Sequence, residues 1–252
     1  MRQAIFSSPQ DASSFLAGYI IEKINDFRPT QEKPFVLGLP TGSSPEGIYA
    51  KLVDAHKKGK VSFRNVVTFN MDEYLGLKPT HPQSYLYFMY DKLFNHVDIQ
   101  QQNIHILNGL AKDPEKECAS YEAQIKKYGR IHLFLGGLGP EGHLAFNEAG
   151  SSRDSVTRRV DLVELTIAAN ARFFDNDRAK VPKQALSVGI STILDNSDEV
   201  AIIVLGANKK YALDKTINGA RNDPQFPSSY LGDHENVMIV CDHAAYGVKA
   251  KL

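Results

Sequence analysis

Apolar, β-rich runs alternate with longer helical patterns along this chain, and that alternation limits its folds more than any other feature. The runs are Phe35–Leu39, Val66–Asn70, Ile131–Leu135, Glu199–Leu205 and Asn236–Cys241. Helical segments fall near Asp11–Asp26, Pro45–Lys58, Gln83–Phe94, Asp113–Tyr128 and Asn208–Ile217. In the second of these, Ile48, Tyr49, Leu52 and Val53 make an apolar stripe at helical spacing. Strand, helix, strand in succession gives parallel strand pairs, and a parallel sheet needs helices on both faces. The expectation is an α/β protein with a mostly parallel sheet. At 252 residues, with no internal repeat and no clear linker, it reads as a single domain over residues 1–252. The polar segment Ser151–Asp177 is read as a short hairpin followed by a helix.

Three strand ends carry residues suited to chemistry. The richest follows Ile131–Leu135, where Gly136, Gly137, Gly139 and Gly142 open a loop that lets backbone approach a ligand closely. Glu141, His143 and Glu148 follow within that loop. A histidine between carboxylates is a proton-handling arrangement, and a nearby carboxylate is expected to raise its pKa and orient its ring. Elsewhere Val66–Asn70 runs into Asp72 and Glu73, either of which is placed to act as a base, because ligands of open α/β sheets bind beyond the carboxyl ends of strands. Taken alone, the pair also fits two solvated loop acids. The third end is Leu39-Pro40-Thr41-Gly42-Ser43-Ser44-Pro45, a strand-to-helix turn whose N–H groups and hydroxyls suit an anion. It equally fits an ordinary turn with a serine N-cap. Arg172 and Lys209 are cationic candidates, the first a bidentate fork and the second a point charge.

Other classes are disfavoured. Lys plus Arg and Asp plus Glu both number 29, which argues against non-specific binding to nucleic acid or membranes. Only Cys118 and Cys241 are present, so no disulfide framework is expected and a reducing compartment fits. The amino terminus has no signal-peptide apolar region, and no run approaches the ~20 residues that span a bilayer. The absence of cysteine pairs and of an H-E-x-x-H pattern argues for no metal. Neither a Walker loop nor a serine nucleophile elbow is present. A cytoplasmic location follows, with Ala250-Lys251-Leu252 a distant likeness to a peroxisomal address.

Taken together, Leu37-Gly38-Leu39-Pro40-Thr41-Gly42, Val67-Thr68-Phe69-Asn70-Met71-Asp72-Glu73-Tyr74, Gly142-His143-Leu144-Ala145-Phe146-Asn147-Glu148 and Arg172-Phe173-Phe174 resemble the glucosamine-6-phosphate deaminase family, most of all its fungal members. The likeness runs from Met1 to about Cys241. It implies a modified Rossmann-like, three-layer α/β/α fold and the conversion of glucosamine 6-phosphate to fructose 6-phosphate and ammonia without a cofactor. Asp72 would move a proton between C2 and C1. His143 would open the sugar ring, tuned by Glu148 and by Glu141, which stands where most of the family has aspartate. Thr41, Gly42, Ser43, Ser44, Arg172 and Lys209 would hold the phosphate. Regulated bacterial members carry Arg-x-Lys where this chain has Arg158-Arg159-Val160, which implies weak or absent activation by the N-acetylated sugar phosphate; sigmoidal kinetics relieved by that compound would overturn this. The small-molecule substrate is the partner implied, and a homo-oligomer is left open. Two alternatives stand beside this reading: a 6-phosphogluconolactonase of similar fold, and a non-catalytic sugar-phosphate sensor.

Overall fold

In a computed structural model, described here for residues 1–248, the five apolar runs become the middle of a parallel sheet. The strands are β1 (Arg2–Phe6), β2 (Phe35–Leu39), β3 (Val66–Asn70), β4 (Asp72–Tyr74), β5 (Ile104–His105), β6 (Leu133–Gly137), β7 (Arg158–Asp161), β8 (Gln184–Ser187), β9 (Val200–Val204) and β10 (Val237–Asp242). The helices are α1 (Pro9–Phe27), α2 (Ser43–Lys57), α3 (Tyr85–Lys92), α4 (Pro114–Lys127), α5 (Glu164–Asn170), α6 (Ile190–Asp195), α7 (Lys210–Asn218) and α8 (His243–Tyr246). Seven strands form one sheet in the order β1-β10-β9-β6-β2-β3-β5, every pair parallel. A smaller antiparallel sheet, β4-β8-β7, stands at its carboxyl-end side, where Asp72 of β4 follows β3 after a single residue.

Strand periodicity sorts the core into two layers. Phe35, Leu37 and Leu39 of β2 face α1, α2 and α3 with Leu16, Ile20, Ile48, Leu52 and Met89. Val36 of the same strand faces the opposite layer, built by α4, α6 and α7 with Tyr121, Ile193 and Leu213. The result is a three-layer α/β/α fold. Glycine is needed at position 38, because a Cβ there would collide with the Phe134 ring on β6. A third cluster, including Tyr74, Phe146, Leu162, Ile167 and Phe174, underlies the smaller sheet.

The strand order reverses between β2 and β6. From β2 the chain builds outward through β3 and β5, and from β6 through β9, β10 and β1. Such a reversal opens a crevice at the carboxyl ends, where the connections leave in opposite directions. At the other end of the sheet, buried Glu199 before β9 accepts hydrogen bonds from Arg2 and from Tyr19 of α1 (2.7 Å), and pairs with Lys23 (2.8 Å). That cluster ties β1 and α1 to the middle of the sheet.

The structure moves some boundaries. Ile131 makes only an isolated bridge to Ser197, so β6 begins at Leu133 and runs into the glycines. The segment Ser151–Asp177 holds no hairpin of its own: β7 pairs with β8, which lies beyond α5. Ala250, Lys251 and Leu252 lie outside the described residues, and no described helix is long and apolar enough to cross a membrane.

Candidate active site

Four adjacent strands, in the order β3-β2-β6-β9, deliver the candidate groups to one end of the sheet. Asp72 follows β3, the Gly42 turn follows β2, the His143 loop follows β6 and Lys209 follows β9.

Asp72 and Glu73 face opposite ways because they are neighbours on a strand. Glu73 is saturated. It accepts from Tyr74 N–H (2.8 Å), Ser84 Oγ (2.7 Å), Tyr85 N–H (3.0 Å) and Leu86 N–H (3.0 Å), and so caps α3. Asp72 is buried, and its Oδ1 has no hydrogen-bond partner. Burial, then the charge of Glu73, holds the Asp72 carboxyl well above the usual carboxylate range. Its charge reaches Tyr49, Tyr74, Tyr85 and Tyr121, from four different elements. Glu73 is therefore a structural cap, and Asp72 is the acid with an unused oxygen.

The glycine loop owes its shape to contacts that side chains would block. A Cβ on Gly139 would overlap the His143 ring, so the imidazole lies directly on the loop backbone. Gly139 N–H donates to the His143 carbonyl (3.0 Å), and Gly142 N–H to the Gly139 carbonyl (3.1 Å). Farther on, Ala145 sits at φ 51°, in the left-handed region, held there by its neighbours. Phe146 N–H donates to Ser187 Oγ (3.0 Å), and Asn147 Nδ2 donates to the carbonyls of Leu144 and Val188 (both 2.8 Å).

The expected effect of carboxylates on His143 is reversed. Its pKa is lowered to about 4, by burial first and by the charge of Lys209 second. Although the residue as a whole is only half-buried, the atoms around the ring strip enough water to disfavour the imidazolium. Glu141 is exposed. Glu148 turns toward α5, accepting from Val163 N–H (3.0 Å) and from the Thr166 hydroxyl. The loop thus presents a neutral histidine at pH 7.

At the other side of the crevice the N-cap of α2 is Gly42, at φ +90°, with no side chain available to cap the first turn. The N–H groups at the start of this 15-residue helix are thus left for an outside acceptor, with the helix dipole behind them. Thr41 and Ser44 are half-buried and Ser43 is exposed. Lys209 is half-buried, and its pKa is lowered to about 8 by burial and then by the charge of Arg172. Arg172 is exposed, with its guanidinium 4.6 Å from the centre of the Phe173 ring. These two cations feel each other's charge, and neither is in an ion pair with a described carboxylate, an arrangement that suits an anion. By contrast, Arg158 is committed to Asn147 Oδ1 (2.8 Å) and Ser151 Oγ (3.2 Å), and Arg159 pairs with Glu115 (3.2 Å). Tyr85, Thr166 and the Ser187 hydroxyl joined the site without a sequence signal, since each arrives through tertiary pairing.

A parallel α/β sheet thus brings a buried acid, a neutral histidine and two cations to the carboxyl ends of four adjacent strands, on either side of its switch point. The chain belongs to the family of glucosamine-6-phosphate isomerases and 6-phosphogluconolactonases, whose pattern matches residues 7–240. A glucosamine-6-phosphate isomerase of Candida albicans is 73% identical over 252 residues, covering all of both chains. A glucosamine-6-phosphate deaminase of Treponema denticola is 53% identical, covering 97% of this chain and 90% of its own. The solved structure of a monomeric glucosamine-6-phosphate deaminase superposes with a TM-score of 0.93 at 36% identity, covering 99% of this chain and all of its own. A 6-phosphogluconolactonase from Trypanosoma brucei shares the fold, with a TM-score of 0.77 at 18% identity over 99% of this chain and 98% of its own.

Proposed function

We propose that this enzyme converts glucosamine 6-phosphate to fructose 6-phosphate and ammonia, a step of amino-sugar catabolism. The observation that carries the chemistry is the buried carboxyl of Asp72, whose Oδ1 has no partner, one strand from the switch point. The 73% identity to a glucosamine-6-phosphate isomerase supports the substrate.

The sugar phosphate anchors through Arg172, Lys209 and the Thr41–Ser44 turn. This remote binding energy positions the reacting carbons. His143, neutral at working pH, accepts the C1 hydroxyl proton and returns one to the ring oxygen, which opens the ring to an aldehyde. Asp72 then removes the proton on C2, giving an enolamine, and delivers a proton to C1. The product is a ketimine at C2. Water adds to it, and ammonia leaves. A raised pKa suits Asp72 to this shuttle, because the carboxyl must give the proton back. Glu148 and Glu141 enter as groups that act on the His143 loop. The steps are proton transfers, ring opening, addition of water and loss of ammonia, with no net oxidation or reduction, so no electron carrier is called for. The residues invoked all belong to one chain, and the likeness to a monomeric deaminase supports a site that needs no second copy. Buried, unpaired Cys118 and Cys241 fit a cytoplasmic setting.

Ammonia release from glucosamine 6-phosphate, with chelator present and no cofactor added, tests the reading. The native enzyme is expected to release ammonia, and Asp72→Asn to lose about 10²- to 10⁴-fold in rate. Binding of the sugar phosphate with no release would transfer the chain to the lactonase or sensor class.

A further inference from the structure

The loop that carries His143 leans on a second loop. Gly150 N–H donates to the Pro224 carbonyl (2.7 Å), and Ser228 N–H donates to the Gly142 carbonyl (2.8 Å). Phe226 lies between these two bonds in the chain. Gly142 has φ +79°, and a Cβ there would overlap Cζ, Cε1 and Cε2 of Phe226. The leading edge of that ring thus occupies the space of a side chain on the residue just before His143. The same ring meets Tyr211 edge-to-face, with centroids 6.2 Å apart. Tyr211 is in the first turn of α7, immediately beyond Lys209 and Lys210. Phe226 is itself held by its N–H to the Asp223 carbonyl (2.9 Å) and by Ser229 N–H to its carbonyl (2.8 Å). One phenyl ring therefore joins the histidine loop to the helix that begins at the cationic site.

We infer that Phe226 is a positioning residue: wedged between Gly142 and Tyr211, it sets the His143 ring relative to Lys209 and shields the histidine loop from water. The inference builds on the role of His143 proposed above. The charge that acts on the imidazole is Lys209, at the start of α7; on its own loop Glu141 is exposed and Glu148 turns away to Val163 and Thr166. The phenyl ring carries no charge of its own, so it acts through packing and solvation. Its removal readmits water beneath Gly142, which favours the imidazolium.

The test compares Phe226→Ala, Phe226→Leu and Phe226→Tyr with the native enzyme. The His143 titration is followed by NMR of histidine-labelled protein, with His143→Gln to assign the signal. Inorganic phosphate affinity, kcat and KM are measured alongside. Phe226→Ala is expected to raise the His143 pKa by about one unit or more toward its ordinary value. Its kcat is expected to fall ~10-fold or more, with phosphate affinity unchanged. Phe226→Leu should fall between, and Phe226→Tyr, whose hydroxyl would extend from Cζ into Gly142, should also shift the His143 titration. A folded Phe226→Leu or Phe226→Ala with a native His143 titration would overturn the inference. Should Phe226→Ala not fold, Phe226→Leu keeps most of the apolar volume and decides. Failure of the deaminase reading shows separately, as no ammonia from the native enzyme, while the titration still reports on the wedge.

Discussion

Asp72 costs the fold stability that the reaction uses. Its carboxyl is raised by burial and by Glu73. Between the ordinary carboxylate pKa and the raised one, the folded chain holds a proton that the unfolded chain has lost. Stability attributable to this group therefore falls as pH rises through that window, and the ionised form is the less stable one. Asp72→Asn is expected to raise the melting temperature at pH 8, by more than at pH 4, while activity is lost. An unaltered melting temperature at pH 8 would show that the four tyrosines already compensate the charge. A buried acceptor left unmatched costs about 1–3 kcal/mol, and at ~2–4 °C per kcal/mol for a domain of this size the shift is within reach of calorimetry. His143 runs the other way: its lowered pKa means stability is lost as pH falls from its ordinary value toward about 4.

At the scale of elements, one carboxylate organises α3. Glu73 receives three backbone N–H groups and the Ser84 hydroxyl. Glu73→Ala strands these donors and is expected to cost about 2–4 kcal/mol in denaturant unfolding, with Glu73→Gln intermediate. Because Tyr85 opens α3 beside Asp72, the alanine variant should also lose kcat more than it raises KM. Equal stability of the Ala and Gln forms would remove the capping role. The same element shows where sequence reading works. Phe35–Leu39 and Val66–Asn70 match β2 and β3 residue for residue, because both are buried on two faces and read as continuous apolar runs. In contrast β1, with an exposed and alternating face, and β7, with Arg158, Arg159 and Asp161, carry no such run. The residues Asp72, His143 and Lys209 stood out because chemistry-bearing types follow strand ends. Their surroundings did not: the turn of Glu148 toward Thr166 and the commitment of Glu73 to α3 depend on pairings far apart in the chain. A local excess of carboxylates pointed to a raised histidine, and burial together with a distant lysine settled the opposite.

Across the whole molecule, the sheet is closed at one edge by the cluster around Glu199. Burial pushes this carboxyl up, but the hydrogen bonds of Lys23 and Tyr19, with the charges of Lys23 and Arg2, outweigh it and hold the pKa below the ordinary value. Its contribution is therefore present above the glutamate range and is lost as pH falls through it. The partners are partly exposed, at 58% for Arg2 and 40% for Lys23, so solvent screens the gain. Glu199→Ala is expected to cost about 1–3 kcal/mol and to loosen β1 and α1 first. Faster amide exchange in Arg2–Phe6 than in Phe35–Leu39 would report it; uniform exchange across both would place the cluster's effect elsewhere.

The pairing of β1 with β10 also has a consequence for biosynthesis. Among the described residues, the sheet neighbour of β1 is β10, which is translated after every other strand of that sheet. At ~5–20 residues per second, the wait between them is on the order of ten to fifty seconds. Throughout that interval β1 lacks its sheet neighbour, while the β2-β3 half of the sheet can already assemble. β1 is then seated only when β10 arrives, and that pairing completes this side of the sheet.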